Sequence, residues 1–351
     1  MNKLFLINGR FLSQKLTGVH RYAFEMCNAL HDMGINFIVI APNRILDEYV
    51  IDFPIVQVGK LSSHFWEQIE LPLYVQRHFK KTLLINFTGL GPILHKLSIC
   101  TIHDLSFLVN PNWFSKSYYY LYKVLTPIIA RKALKIITVS EFSKSEIINI
   151  LKINPNKIIV ISNAVSKKLL LFNEGKVLLP EVFLLSVSSI DPRKNQIQLI
   201  RAFNLLANKN IKLYIIGKNN KLFGKHKIIE NNNPRIIFTG YLSDSELFYY
   251  YKKATAFIYP SLYEGFGIPN LEAMINNCPV ITSAIPPHYE VCKEAALYFD
   301  PYNPEDIAAK ISIVIGNESV RKTLIENGIK QVRLYSWEKS AQELINILES
   351  M

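Results

Sequence analysis

Residues 256–274 read AFIYPSLYEGFGIPNLEAM, and this stretch decides the class of fold. Its first four residues are all apolar, which is typical of a strand in a parallel sheet that is covered on both faces. Two glycines then let the backbone pass close to a ligand, and Pro269 suits the beginning of a helix, where free amides and the helix dipole bind anions. The stretch therefore predicts a strand, a ligand-binding loop and a helix of an α/β fold.

The same alternation of short apolar runs and helical segments continues on both sides, over a chain of 351 residues. It is interrupted at residues 166–180, where polar residues, a glycine and Pro180 replace the pattern. Because the chain is more than twice the size of a typical domain, we predict two doubly wound α/β domains, 1–165 and 181–335, joined by a linker at 166–180. The predicted strands are Lys3–Ile7, Phe37–Ile40, Leu83–Phe87, Ile99–Ile102, Ile136–Val139, Ile158–Ile161, Val182–Val187, Lys212–Ile216, Arg235–Phe238, Ala256–Tyr259 and Pro279–Ile281. The predicted helices span 19–33, 65–79, 115–132, 143–151, 195–207, 270–276, 304–315, 318–330 and 337–348, with a further helix opened by a capping box of Ser243 and Glu246.

Charge points to an anionic partner. The chain has 40 lysine and arginine residues against 28 acidic ones, a net charge of +12, of which residues 1–165 hold +8. Such an excess favours phosphate, nucleic acid or acidic lipid, although a solvated basic surface without function stays an alternative.

The four cysteines lack C-x-x-C spacing, so we predict buried thiols. Apolar runs are too short for a membrane span or a signal peptide, so we expect a cytoplasmic protein.

Two carboxylates and two cations are the candidates for chemistry. Glu264 lies in the loop after the strand, and Glu272 is placed in the first turn of the helix, so the two can contact different parts of one long ligand. Arg193 and Lys194 follow another strand at the start of a helix, where two adjacent cations suit a diphosphate. A loop carboxylate contributes little packing, so we expect Glu264→Ala to leave the fold intact.

The block E-G-F-G-I-P-x-L-E-A-M, continued by CPVITS at 278–283 and AALYFDP at 295–301, resembles the signature of the retaining glycosyltransferase family 4. Mannosyltransferase-like enzymes of bacterial surface-polysaccharide and lipopolysaccharide synthesis are members of this family. The resemblance implies the GT-B fold, in which two Rossmann-like, doubly wound domains face each other across a cleft. It further implies that residues 1–165 form the acceptor domain, that 181–335 form the donor domain, and that the last helix, 336–351, packs back on the first domain.

Residue roles follow from this resemblance, position by position. Glu264 matches the family glutamate beside the donor sugar, and Glu272 the glutamate that accepts hydrogen bonds from the ribose hydroxyls. Lys194 matches the lysine that neutralises the leaving diphosphate. Arg193 is chosen as its partner, because Ser189 stands where many members carry that arginine. Ser189 itself and the turn residues Gly267, Ile268 and Leu271 are predicted to line the same nucleotide site.

The first domain carries two further matches. His103, followed by Asp104 at a strand end, resembles the family's H-D element that faces the donor sugar across the cleft, so we predict a catalytic role for it. Gly18, next to Thr17, resembles the glycine of the first loop that approaches the donor phosphates.

The resemblance implies transfer of a sugar, with retention, from a nucleotide-diphosphate sugar to a hydroxyl of a glycan or polyprenyl-linked oligosaccharide. No metal or other cofactor is expected, and no D-x-D triplet occurs. A further partner expected from the basic first domain is an anionic membrane surface on the inner face of the cell membrane. Nucleic acid is not expected, because the chain has no basic motif interleaved with aromatic residues.

The sequence disfavours two other classes of enzyme and leaves one non-catalytic alternative open. A nicotinamide dehydrogenase is disfavoured because Asn8-Gly9-Arg10 follows the first strand in place of G-x-G-x-x-G. The signatures of a GT-B epimerase or phosphorylase are missing as well. A non-catalytic nucleotide-sugar-binding protein of the same fold stays open as the alternative.

Overall fold

The computed structural model describes residues 4–166, 179–217 and 233–351. It divides into two compact units: unit 1 is Met1–Leu108, Tyr119–Asn163 and Ser336–Met351, and unit 2 is Val109–Tyr118 and Ala164–Tyr335. The predicted start of the first strand at Lys3 and most of the predicted linker, 167–178, lie outside the described residues.

Unit 1 is built on a parallel sheet with the strand order β3-β2-β1-β4-β5-β6-β7. The strands are β1 (Phe5–Asn8), β2 (Phe37–Pro42), β3 (Ile55–Val58), β4 (Leu84–Asn86), β5 (Ser98–Thr101), β6 (Lys135–Thr138) and β7 (Ile158–Val160). The helices are α1 (Gly18–Asp32), α2 (Ser63–Phe65), α3 (Leu71–His78), α4 (Ser106–Val109), α5 (Lys116–Lys132), α6 (Glu141–Leu151) and α13 (Trp337–Glu349), and a π-helical turn, Trp66–Glu70, joins α2 to α3. Trp337 of α13 packs edge-on against Tyr22 of α1, with ring centroids 5.5 Å apart.

Unit 2 has a parallel sheet with the order β10-β9-β8-β11-β12-β13. Its strands are β8 (Phe183–Val187), β9 (Lys212–Ile216), β10 (Ile236–Gly240), β11 (Ala256–Tyr259), β12 (Val280–Ser283) and β13 (Ala296–Phe299). Its helices are α7 (Gln196–Leu205), α8 (Asp244–Lys253), α9 (Ile268–Ile275), α10 (Pro286–Cys292), α11 (Pro304–Gly316) and α12 (Glu318–Val332). In both units the order reverses beside the first strand, as in doubly wound sheets.

Most predicted elements are present because their apolar runs are buried on both faces. The residues of β8 and β11 that form the centre of unit 2 are nearly all inaccessible to solvent. The capping box is confirmed: the Ser243 hydroxyl accepts from the Glu246 amide, and the Glu246 carboxylate accepts from the Ser243 amide. The four cysteines are buried free thiols, as predicted.

Among the strands and α-helices of the described residues, the prediction missed four: β3, β13, α10 and the four-residue helix α4. Strand β3 lies at the edge of its sheet and is only half-buried, with Gln57 in its interior, so its sequence lacks a continuous apolar run. Strand β13 and helix α10 are short, so neither sequence is long enough to repeat the hydrophobic pattern by which a strand or a helix is predicted.

The segment Val109–Tyr118 corrects the predicted domain limits, since the sequence analysis placed it in the first domain and its contacts place it in unit 2. The physical reason is an aromatic contact: the ring of Trp113 lies 6.3 Å from the ring of Tyr263.

A buried polar cluster lies at the carboxyl ends of β1 and β4. Glu67, from the π-helical turn, pairs with Nε of Arg10 at 3.1 Å and accepts a hydrogen bond from Asn8 at 2.7 Å. Asn8 also donates to Asn86 at 2.9 Å. Both charged groups are buried, so removing either one would leave an uncompensated charge inside unit 1.

Candidate functional site

The two loops predicted to carry the chemistry follow neighbouring strands of unit 2. Residues 188–195 follow β8 and residues 260–267 follow β11, and these parallel strands are paired at the point where the strand order reverses. Doubly wound sheets bind their ligands outside the carboxyl ends of the strands at this point. The amide of Leu262 donates to the carbonyl of Arg193 at 2.8 Å, which ties the two loops together.

Glu264 is the centre of a buried, ion-paired cluster. Its Oε1 accepts hydrogen bonds from Nζ of Lys194 at 2.5 Å and from the hydroxyl of Tyr259 at 2.9 Å. Its Oε2 lies 3.4 Å from Nη1 of Arg193. Lys194 also donates to the Tyr259 hydroxyl at 2.8 Å. Glu264 and Lys194 are only 7% and 8% exposed, so this glutamate is not a solvated loop residue.

The charge state of the pair follows from these contacts. Burial opposes ionisation of Glu264, but Lys194 and Arg193 outweigh burial and lower the pKa of Glu264 from 4.5 to about 2. Burial also lowers the pKa of Lys194, and the Glu264 carboxylate opposes that shift. The expectation that Glu264→Ala leaves the fold intact is therefore corrected, because alanine leaves Lys194 buried without its carboxylate, at a cost of about 3–5 kcal/mol.

This cluster predicts an acid-sensitive stability. A carboxyl group with a depressed pKa stabilises the folded state above its unfolded value of 4.5 and loses that contribution as the pH falls towards 2. We expect the free energy of unfolding to fall by about 3 kcal/mol over this range from Glu264 alone. Urea unfolding at several pH values, compared between the wild type and Glu264→Gln, measures the difference. Identical pH profiles for the two proteins would contradict the ion pair.

The turn that carries both cations is held by its own side chains. Residues Pro192–Lys194 form a 3-10 turn, and Asp191 caps it by accepting from the Arg193 amide at 3.1 Å. The Ser189 hydroxyl donates to the other Asp191 oxygen at 2.7 Å, so the structure uses Ser189 to position Asp191. Asn195, in the left-handed region with φ +56°, donates to the carbonyls of Pro260 and Pro301.

Gly267 stands immediately before α9, in the left-handed region with φ +91°. A side chain there would approach Cδ2 of His288 to 2.9 Å and Nδ2 of Asn270 to 3.1 Å, so both backbone angle and space require glycine. Ile268, half-buried, is the first residue of α9. The helix thus begins two residues before the predicted position 270, and Glu272 lies beyond its first turn.

Two predicted residues are not part of the cluster around Glu264. The carboxylate of Glu272 accepts a hydrogen bond from the hydroxyl of Tyr251, on α8, at 3.1 Å. Leu271 is fully buried in the core of unit 2, so its contact with a ligand would come from its backbone.

Helix α1 begins at one of the residues predicted on unit 1 and contacts the other through Tyr22. Its first residue, Gly18, is exposed, and a side chain built there would contact nothing within 4 Å. One turn later the ring of Tyr22 packs edge-on against His103 at 5.0 Å. Nε2 of His103 lies 2.8 Å from the Phe87 carbonyl, which can only accept, so Nε2 carries the proton and Nδ1 is an acceptor. Burial lowers the pKa of His103, which keeps the ring neutral.

Comparisons with known proteins agree with this architecture. The family model described as Glycosyltransferase Family 4 matches residues 16–168, and the model described as Glycosyl transferases group 1 matches residues 171–331. The O-antigen chain mannosyltransferase B of Escherichia coli is 30% identical over 272 residues, which cover 72% of this chain and 70% of that protein. The chain belongs to glycosyltransferase family 4.

Two further similarities describe this family 4 glycosyltransferase. The O-antigen chain mannosyltransferase RfbU of Salmonella typhimurium is 27% identical over 312 residues, covering 84% of this chain and 86% of that protein. The crystal structure of Anabaena Alr3699/HepE in complex with UDP and glucose superposes with a TM-score of 0.74 at 16% identity, covering 99% of this chain and all of that one. The fold is GT-B, as the sequence predicted.

Sequence reasoning missed two polar residues beside the site of this glycosyltransferase. His288 and Asn270 are fully buried next to Gly267, and the structure gives no hydrogen-bond partner to Nε2 of His288 or to either amide atom of Asn270. Thr282, at the end of β12, holds the other nitrogen of His288 at 2.8 Å. His288 belongs to no motif, and only the adjacency of β11 and β12 brings it to the loop.

Proposed function

We propose that this chain transfers a sugar from a nucleoside diphosphate sugar to a hydroxyl of a glycan or lipid-linked oligosaccharide during surface-polysaccharide synthesis, with retention of anomeric configuration. The observation that carries the proposal is the Arg193–Lys194–Glu264 cluster at the carboxyl ends of β8 and β11. Relatives named O-antigen chain mannosyltransferases support the polysaccharide context, and mannose is the sugar we expect to be transferred.

The donor diphosphate is proposed to bind beside Arg193 and Lys194. A lysine ammonium has three N–H donors, and Lys194 uses one on Glu264 and one on Tyr259, so one is available to a phosphate oxygen. Arg193 adds a planar guanidinium suited to bidentate contact with phosphate. The Gly267 turn, where a side chain cannot fit, allows the backbone to approach the same ligand.

The proposed reaction breaks the bond between the anomeric carbon and the β-phosphate oxygen, whose electron pair stays on the departing diphosphate. The acceptor oxygen forms the new bond on the same face, and its proton goes to the departing phosphate oxygen. Negative charge grows on the diphosphate during this step, so fixed cations such as Arg193 and Lys194 stabilise the transition state more than the ground state. No metal or other cofactor is part of this proposal.

Three residues are proposed to act around the sugar and the phosphates. Glu264 holds Lys194 in place and faces the donor sugar, and His103 offers Nδ1 as an acceptor for a sugar hydroxyl. Gly18 leaves open space at the start of α1, which a phosphate can approach.

Donor turnover tests the proposal. We expect one nucleotide sugar, with GDP-mannose and UDP-glucose as the first two to compare, to raise the unfolding temperature and to be slowly hydrolysed to free nucleoside diphosphate. A ligand at 100 times its dissociation constant stabilises by about 2.7 kcal/mol. Binding without any hydrolysis or transfer would favour the non-catalytic alternative.

We also propose peripheral contact of unit 1 with an anionic membrane surface. Phe65, Ile69 and Leu73 follow one another at four-residue spacing along the helical segment Ser63–His78, and they are 72%, 46% and 61% exposed. The exposed cations Arg77, Lys80 and Lys81 follow at its end. An apolar row beside basic residues suits the interface of an acidic bilayer, where each cation contributes about 1 kcal/mol. None of the described helices is long and apolar enough to cross a bilayer.

Vesicle sedimentation tests this surface. The double variant Phe65→Ser, Leu73→Ser should bind vesicles of phosphatidylglycerol and phosphatidylcholine about tenfold more weakly than the wild type, because it removes two apolar side chains. Leu205→Ser, at an exposed leucine on α7 of unit 2, is the control. The proposed surface would be ruled out if vesicle binding by the wild type changed neither with the content of acidic lipid nor with the salt concentration.

A further inference from the structure

Unit 1 contains a cavity that none of the predicted donor-binding residues lines. Its volume is 590 Å³, within the range of about 300–1,000 Å³ of small-molecule sites. It lies at the carboxyl edge of the sheet, bounded by the segments that follow β1, β2 and β3. This is the edge of a parallel sheet at which doubly wound domains bind ligands.

Three cations from three different segments line this cavity. Lys15 comes from the segment after β1, Arg44 from the segment after β2 and Lys60 from the segment after β3. Among the described residues, no acidic side chain lines the cavity, and no hydrogen bond or ion pair is recorded for these three charged groups. Because like charges repel, three cations gathered around one concave surface favour an anionic ligand.

Two nearby carboxylates, Glu70 and Glu48, accept hydrogen bonds from backbone amides, and the structure records no ion pair between them and the three cations. Glu70 accepts from the amide of Lys60 at 2.9 and 3.0 Å and from the amide of Leu61 at 2.9 Å. Glu48 accepts from the amide of Leu16 at 2.8 Å. Both acids therefore shape the segments and leave the cationic side chains available.

Further hydrogen bonds hold the walls in place. Asn43 donates to the carbonyl of Gly59, and Gln57 donates to the carbonyl of Asn43, which joins the segments after β2 and β3. The Tyr49 hydroxyl lies within hydrogen-bond distance of the carbonyls of Phe11 and Gln14, which joins them to the segment after β1. A site held in this way loses little conformational entropy when a ligand binds.

We propose that the cavity binds the diphosphate group of a phosphorylated acceptor through Lys15, Arg44 and Lys60. Ser62 and Ser63 add hydroxyl groups for which the structure records no hydrogen bond. Leu61 also lines the cavity and is exposed, and Phe65, the first residue of the apolar row, follows it by four residues. A diphosphate attached to a lipid chain fits this combination of cations and neighbouring apolar side chains. The identity of the ligand as acceptor rests on the proposed function.

Titration calorimetry with inorganic pyrophosphate tests the cavity. The protein is first saturated with the nucleoside diphosphate that binds it best, so that the donor site is filled. We expect Arg44→Gln, Lys60→Gln to weaken pyrophosphate binding about a hundredfold, since two charge-assisted contacts are lost. Lys96→Gln, Lys152→Gln removes the same charge from exposed positions of unit 1 away from the cavity and should bind like the wild type. Equal affinities in all three proteins, or no binding by the wild type at low salt, would overturn the proposal.

Geranyl diphosphate distinguishes the two sources of the diphosphate. Binding at least as tight as pyrophosphate, lost in the same double variant, supports a lipid-linked acceptor. Its exclusion from a cavity that still binds pyrophosphate overturns the lipid source. Donor hydrolysis is measured on the same proteins: hydrolysis without cation-dependent pyrophosphate binding refutes the cavity alone, and pyrophosphate binding without hydrolysis refutes the proposed function alone.

Discussion

Replacing Glu264 with glutamine should lower the rate of sugar transfer by about a thousandfold. The change keeps the size and the hydrogen-bond acceptor of the side chain but removes the charge that holds Lys194 and Arg193, so the cations are no longer fixed where diphosphate charge develops. Transfer of a radiolabelled sugar under saturating donor measures the loss in kcat, and donor hydrolysis should fall in parallel.

Glu294→Gln is the matched control, because this glutamate is exposed on unit 2 and outside the cluster. It should transfer sugar at the wild-type rate. Thermal unfolding of both variants separates lost chemistry from lost folding. A Glu264→Gln protein that is folded and turns over normally would remove this glutamate from the proposed mechanism.

Replacing Lys194 with methionine should reduce kcat by about 100- to 1,000-fold and also destabilise unit 2. The rate falls because the leaving diphosphate loses a fixed cation. The stability falls, by about 3 kcal/mol, because Glu264 stays buried and loses its shorter ion pair, keeping the hydrogen bond from Tyr259 and the longer contact with Arg193 at 3.4 Å. Kinetics of donor turnover and urea unfolding measure the two effects on one sample.

Two comparisons give the Lys194 result its meaning. Lys212→Met removes an exposed lysine at the start of β9 and should change neither quantity. The double variant Lys194→Met, Glu264→Gln should regain part of the lost stability, since it leaves no uncompensated carboxylate, yet stay inactive. If the double variant were less stable by the sum of the single losses, the two side chains would not be coupled.

The strands at the centre of each sheet could be predicted because an unbroken run of apolar residues indicates a strand that is buried on both faces. Ala256–Tyr259 is apolar at every position, and the structure places β11 there without any shift. Strand β3 could not be predicted in the same way. An edge strand is paired on one side only and covered less completely, so Gln57 is tolerated within it and the apolar run is broken.

The same distinction applies to the candidate site: its charged residues could be predicted from the sequence, but the contacts between them could not. Arg193, Lys194 and Glu264 could be singled out because each stands in a motif directly after a buried strand. Their mutual contact could not, since 70 residues separate Lys194 from Glu264 and the distance between them depends on the pairing of β8 with β11. His288 has no motif at all, and it reaches Gly267 through the fold of the next strand and helix.

By itself, the sequence determined the α/β class, the presence of two doubly wound domains and the residues that carry charge at the start of two helices, because apolar runs, glycines and charges act over a few neighbouring positions. Only the tertiary structure decided that Glu264 is buried and ionised and that Glu272 accepts a hydrogen bond from Tyr251. It also decided that Lys15, Arg44 and Lys60 line one cavity. Burial and electrostatic coupling depend on distances between segments far apart in the chain, and the strand order sets those distances.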